Sequence, residues 1–302
     1  MKILKRKIYQ FISKTFMAGC SNYNSVEVRR SCRSKAQARA VFRQYDFPHA
    51  KGEIFLNPFK AHKFAKTHGF PLVIKPNIGG FSRGSYFPIQ NFRELWKAIF
   101  LAKIWWPTTV VEQYLEGKNY RALVANGQVS SIIQRYAPFV KGNGLDEIST
   151  LIDQENQTRT EMGLLECMYP LQKGTQTQTY LSKHGYTLYS IPEPGETVKL
   201  FHRIALAPGG VIRAIKHGAI HADNIELFEN VLAALDARIL GIDIIMEKGV
   251  EYSYKTQKCI LLEVNSRPFV KMHDYPRYGE RHDLSDCFSE LDALTVCGSD
   301  TY

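Results

Sequence analysis

The stretch ILLEVNSRP, Ile260 to Pro268, decides how the chain reads. Its aliphatic residues predict a buried strand, yet Glu263 and Asn265 sit inside it. Side chains two apart on a strand point to the same side, so a carboxylate and an amide share one face. A buried carboxylate is costly unless a partner neutralises it, so that face needs a cation. A second apolar strand, GIDIIM, carries Asp243, and nineteen residues separate it from Glu263 across what reads as one hairpin. Pairing the strands brings Asp243, Glu263 and Asn265 onto one face. Two carboxylates and an amide oxygen suit Mg²⁺ or Mn²⁺, with phosphate oxygens completing the shell. A hydrogen-bonded polar patch at a sheet end would produce the same pattern.

Upstream, PLVIKPNIGGFSRGS places Lys75 at the end of a buried strand, just before a glycine-rich loop containing Gly79, Gly80, Ser82 and Gly84. A lysine there reaches nucleotide phosphates, and the loop's N–H groups cover them. A snorkelling surface lysine and a simple surface loop are the alternative. VVEQYLEGKNYR supplies a strand and linker suited to edge-on binding of an adenine, or an ordinary connection.

The 302 residues suffice for one large or two modest domains, with 44% hydrophobic and 23% charged residues as in soluble globular proteins. No apolar run approaches the length of a membrane span. The six cysteines are scattered without a CxxC pair, which points to reduced thiols in a cytoplasm rather than zinc or disulfides. The net charge of +10 is all N-terminal: residues 1–43 hold eleven Lys/Arg and one acid, and the remainder balances. With no aromatic-rich RNA-binding motif, nucleic acid is not an expected partner. Residues 1–19 place Leu4, Ile8, Phe11, Ile12 and Phe16 on one helical face among basic residues. Such a helix lies on an anionic membrane surface, docks on an acidic partner or packs on the protein's own body.

Helices are expected from Ser34 as N-cap through KAQARAVFRQY, over PFKAHKFAKTH with Gly69 as C-cap, over NFRELWKAIFLAKI capped by Asn91, over ISTLIDQENQ and over HADNIELFENVLAALDARIL. Strands are expected at GEIFL, PLVIKP, SYFPI, VVEQ and on both sides of the Asn126-Gly127 turn. Residues 136–220 otherwise read as loops, and Trp105-Trp106-Pro107 as core packing at a helix end. His217 and His221 read as a loop residue and a helix start, not a metal pair. Hairpins joined by isolated helices make the class α+β.

In this order the segments GIDII, LLEVNSRP with MHDYP, EQYLEGKNYRALV, APFVKGNG and HADN resemble the ATP-grasp superfamily, more narrowly the carboxylate–amine ligases of cyanophycin synthetase and glutathione synthetase type. The resemblance runs from about Ser34 to Tyr275. It implies two α+β subdomains gripping ATP between antiparallel sheets: residues 34–113 as the small subdomain, 114–302 as the large one with the metal site, and a basic segment 1–33 as a shortened N-terminal region. By resemblance, Lys35 and Lys75 bind nucleotide, and Glu112, Gln113, Tyr114 and Leu115 form the adenine hinge, mostly through backbone. Asn119 stands where an acidic ribose ligand is usual. Arg121 looks toward the phosphates or acyl phosphate, and Asp243, Glu263 and Asn265 hold two magnesium ions.

Arg203 opens RIALAPGG, where the family usually has Arg-x-Asn-Leu-x-x-Gly-Gly; Ala205 replaces the Asn, which touches the substrate side. The implied chemistry joins an amino acid or peptide carboxylate to an amine through an acyl phosphate, with Arg203 on the oxyanion. The glycine-rich loop and the Lys141–Gly144 loop would close over it. Only thirty-four residues precede Lys35, so a protein partner or second subunit is expected to complete the substrate pocket. The competing reading is a nucleotide-binding regulatory module without ligase turnover.

Overall fold

The computed structural model describes residues 23–33, 35–77, 84–285 and 287–289. The expected helix within residues 1–19, the Ser34 cap, and Gly79, Gly80 and Ser82 lie outside them. In chain order the elements are α1 (Val26–Arg33), α2 (Lys35–Gln44), β1 (Gly52–Phe55), α3 (Pro58–His68), β2 (Leu72–Pro76), β3 (Tyr86–Ile89), α4 (Phe92–Trp105), β4 (Thr109–Gln113), β5 (Lys118–Ala125) and β6 (Gln128–Tyr136). There follow β7 (Phe139–Lys141), α5 (Ile148–Glu161), α6 (Thr175–Lys183), β8 (Thr197–Lys199), β9 (Val211–Ile215), α7 (Ala222–Ala234), β10 (Ile239–Met246), β11 (Cys259–Asn265) and α8 (Lys271–Asp274).

Contacts divide the chain into two units. One holds the described residues up to Ser130, Gly218–Phe269 and those from Ser285 onward; the other holds Ser131–His217 and Val270–Leu284. In the first unit, β1–β4 form an antiparallel sheet in the order β1-β4-β2-β3. Its core is Phe55, Phe64, Leu72, Ile74, Leu95, Ile99 and Val111, drawn from the sheet and from α3 and α4. Local chemistry sets the helix ends. Asn57 accepts from the Phe59 N–H with Pro58 at the first turn, and Gly69, at φ 72°, stops α3 in a conformation that favours glycine. Asn91 accepts from the Glu94 N–H to start α4.

The Asn126-Gly127 turn takes up the expected left-handed geometry, with φ of 50° and 79°. In the same unit β10 lies between β5 and β11, antiparallel to both. Asn24 pins this ribbon: its amide donates to the Ile239 and Ser266 carbonyls and accepts from Arg238 N–H.

In the second unit β6 pairs with β9 and β7 with β8. Val140, Ile148, Ile152, Leu181 and Val198 form a core beside them. This region holds more regular structure than the loops its sequence predicts. Strands β7 and β8 are three residues each, too short to show a period, and α6 (TQTQTYLSK) has too few apolar residues to mark one. The Lys141–Gly144 segment is not a loose loop: Lys141 ends β7, Gly142 N–H donates to Glu196 O, and Gly144 N–H to Pro192 O. A second correction concerns Trp105 and Trp106, which are 56% and 40% exposed rather than core. His221 is the N-cap of α7, as its position at the helix start suggested. Among the described residues, no helix is long and apolar enough to cross a membrane.

Candidate active site

Two charge clusters build the site, both in the first unit. The first begins at Lys75, the penultimate residue of β2. Val73 lies opposite Glu112 of β4, so Lys75 and Glu112 are diagonal neighbours on one face of the sheet. The Lys75 ammonium meets the Glu112 carboxylate at 2.5 Å. Arg39, from α2, closes on the other Glu112 oxygen. All three residues are buried. Gly52 makes room for this: a Cβ there would stand 2.6 Å from the Val111 carbonyl, 2.7 Å from Glu112 Cγ and 2.9 Å from an Arg39 nitrogen.

Lys35 lies one helical turn before Arg39 and acts electrostatically on Lys75. Arg39 and Lys75 therefore share one carboxylate, and the surplus positive charge suits a polyphosphate. Burial pushes the Lys75 ammonium down to about 7, and the charges of Lys35 and Arg39 add to the drop while Glu263 opposes it. Burial likewise lowers Arg39, to about 10, with Arg43 adding to it.

The second cluster is the face that Glu263 announced. Asp243 stands directly opposite Glu263 across β10 and β11, and Arg121 of β5 directly opposite Asp243, so the three form one row across three strands. Arg121 grips both oxygens of Asp243, Nε to Oδ1 at 2.5 Å and Nη2 to Oδ2 at 2.8 Å. Its Nη2 reaches Glu263 Oε1 at 4.0 Å. Burial opposes the Arg121 charge, but Asp243 beside it prevails and the guanidinium's pKa is raised. The Asn265 amide donates to Glu263 Oε1 at 3.4 Å.

The first cation on this face is thus a guanidinium of the chain itself. Among the described residues no group of three or more His, Cys, Asp or Glu side chains could hold a metal. The donor set still fits a hard divalent ion: Glu263 is 37% exposed at its side chain, Asn265 brings an amide oxygen, and Asp243 would be shared with Arg121.

Of the hinge residues, Gln113 N–H donates to Lys51 O and Tyr114 N–H to Pro71 O. The Tyr114 ring stacks against Phe87 at 6.2 Å. Leu115 is half-buried, and Asn119 is buried at the start of β5. Gly84, the one described glycine of the glycine-rich loop, has φ 70°. Arg203 belongs to the second unit, with its Nε buried and without a hydrogen-bond partner. The turn after it is closed by Gly210 N–H to Ala205 O. Asn224 of the HADN segment is fully buried and ties the Val250 and Tyr252 carbonyls, a structural role.

Sequence reasoning alone misses Arg39 as a member of the site and gives Glu112 only a backbone role. The available signal is the four-residue spacing of Lys35 and Arg39, which puts both on one face of α2.

Two antiparallel sheets, with a cationic cluster on one and an acidic row on the other, fit the ATP-grasp fold. The chain has the fold of ATP-grasp proteins, as its likeness to solved structures shows. No protein-family model matches it. Its relatives include a cyanophycin synthetase of Trichormus variabilis, 30% identical over 224 residues, covering 74% of this chain and 25% of the relative. The glutathione biosynthesis bifunctional protein GshAB of Streptococcus agalactiae is 26% identical over 296 residues, covering 94% of this chain and 38% of that protein. Among solved structures, a bifunctional glutathione synthetase from Pasteurella multocida matches with TM-score 0.65 at 21% identity, covering 90% of this chain and 38% of the other. The chain therefore spans 25% to 38% of the length of these relatives.

Proposed function

We propose that the chain is an ATP-dependent carboxylate–amine ligase. It would form an amide bond between an amino acid or short peptide carboxylate and an amine through an acyl phosphate. The observation that carries this is the pairing of a cationic cluster (Lys35, Arg39, Lys75) with the Arg121–Asp243–Glu263 row inside one unit. Glu263 acts electrostatically on both Lys75 and Arg121, so the clusters share one field. In this reading residues 34–113 form the small subdomain, and β5, β10 and β11 belong to a large one spanning 114–302. The setting is the cytoplasm, on the strength of the scattered cysteines.

ATP phosphates would take the Lys75 and Lys35 ammonium groups, with the adenine edge on the Leu115 backbone and the ribose near Asn119. Gly79, Gly80, Ser82 and Gly84 of the glycine-rich loop would cover the phosphates. Glu263, Asn265 and Asp243 would hold magnesium, two ions by resemblance, which supplies neutralisation of the transferring phosphoryl group. The substrate carboxylate attacks the γ-phosphorus, giving the acyl phosphate and ADP. The amine then attacks the acyl carbon, and phosphate leaves. By resemblance, Arg121 would steady the acyl phosphate and Arg203 the oxyanion. Exclusion of water protects the acyl phosphate from hydrolysis.

The deciding experiment is ADP release with Mg²⁺-ATP against pooled amino acids and dipeptides, product masses read in parallel and Glu263→Gln as control. ADP and a condensation mass that both vanish in the variant support the ligase. One observation favours the second reading, a nucleotide-holding module without turnover: both Asp243 oxygens are engaged by Arg121. Tight nucleotide binding with no ADP release from any substrate would select it.

A further inference from the structure

Helix α4 is apolar on both sides. Leu95, Ala98, Ile99 and Ala102 are buried in the core, while Trp96, Phe100 and Ile104 are 37%, 70% and 68% exposed. Phe59 of α3 stands edge-on to Trp96 at 5.6 Å and knits the two helices into one face. Trp105, the last residue of α4, turns its ring towards Gly84, away from that face. A helix apolar all round is ordinarily buried in a core or in lipid. A contiguous exposed apolar face of this kind marks an interaction surface.

The surrounding charge says what kind. Lys60, Lys63 and Lys66 of α3 and Arg93 and Lys97 of α4 are exposed, and none makes an ion pair with a described residue. Glu94 is the one acid in either helix, and it is bonded to the Gln90 N–H and the Asn91 amide at the helix start. A cationic rim calls for an anionic occupant. It disfavours a second copy of the same face, and equally the basic segment of residues 1–19, through like-charge repulsion. A partner helix would be received in a groove. Here the largest side chains stand out of the surface, which suits acyl chains and the headgroup boundary, where Trp and Phe settle.

We infer that the α3–α4 face binds an anionic lipid surface, with Phe59, Trp96, Phe100 and Ile104 at the headgroup boundary and the Lys/Arg rim on lipid phosphates. This does not rest on the ligase reading. The basic amphipathic pattern of residues 1–19 offers a second anchor of the same chemistry, and two weak anchors hold where one is readily reversed.

Trp96 lies on this face, so intrinsic fluorescence carries a reporter there. The full chain is titrated with phosphatidylcholine vesicles with and without phosphatidylglycerol, alongside co-sedimentation and brominated lipid as a depth-dependent quencher. The expected result is a blue shift and bromine quenching with anionic vesicles, weakened by salt. Phe100→Ser with Ile104→Ser is expected to weaken partitioning about tenfold or more, with an unchanged thermal midpoint showing that the fold is intact. Lys63→Glu with Lys97→Glu is expected to remove the preference for anionic lipid. Co-sedimentation with no change in tryptophan emission would place binding elsewhere in the chain and overturn the inference. So would equal partitioning into neutral vesicles, no binding at all, or a dimer dispersed by Phe100→Ser.

Discussion

The two charge clusters use the same residue types to opposite ends. Around Glu112 one carboxylate is held between two buried cations, with a third nearby, and the surplus is positive. Along the Arg121–Asp243–Glu263 row one cation serves two carboxylates, and the far one stands half-exposed. The first cluster is closed around its carboxylate with positive charge to spare; the second is closed at Asp243 and open at Glu263. Burial, more than composition, separates a residue that holds the fold from one free to meet a ligand.

The largest effect should come from breaking the closed cluster. Glu112→Ala leaves Lys75 and Arg39 as buried cations without their shared carboxylate, and should lower stability by about 3–5 kcal/mol. Urea unfolding checks this, and a loss below about 1 kcal/mol would mean that the carboxylate is not the keystone of the cluster. Next comes Gly52→Ala, whose methyl would press on the Val111 carbonyl and the Arg39–Glu112 pair. A loss of about 1–3 kcal/mol is expected from that overpacking.

The pH response is gentler and sharpens the contrast. Lys75 titrates near 7 in the fold against an ordinary 10.5, so the unfolded chain binds its proton more tightly. The resulting destabilisation is fully present below pH 7 and fades as pH rises from 7 towards 10.5. Phosphates need the ammonium, so nucleotide affinity should move the other way and fall over the same window. Binding at pH 8 should take up protons, read by calorimetry in buffers of different ionisation heat. Absence of uptake would mean that Lys75 is already protonated at that pH, with its pKa on the other side of it.

The smallest stability change belongs to the open end of the row. Glu263→Gln, at a side chain 37% exposed, should shift unfolding by no more than about 0.5 kcal/mol. It should still abolish ADP release. A large stability loss there would show that Glu263 holds the fold as Glu112 does.

Much of this is legible in the amino-acid order. Period-2 alternation puts Glu263 and Asn265 on one face, and β10 and β11 pair with Asp243 opposite Glu263 as the hairpin requires. The caps at Asn91 and Gly69 and the Asn126-Gly127 turn follow from residue chemistry within four positions. The second unit is poorly legible because three-residue strands and a polar helix leave no period to find. The Trp105–Trp106 pair misleads because an apolar side chain does not declare which way its helix faces when both faces are apolar.

By itself the sequence determined the strands of the first unit, the Asn126-Gly127 turn and the parity of the acidic face, all of which depend on neighbours a few residues apart. Only the tertiary structure decided which charges meet. Glu112 finds Arg39 at a separation of 73 residues and Asp243 finds Arg121 at 122. A counter-ion is chosen by distance in space and by the loss of water around it, and neither is written in the local order of the chain.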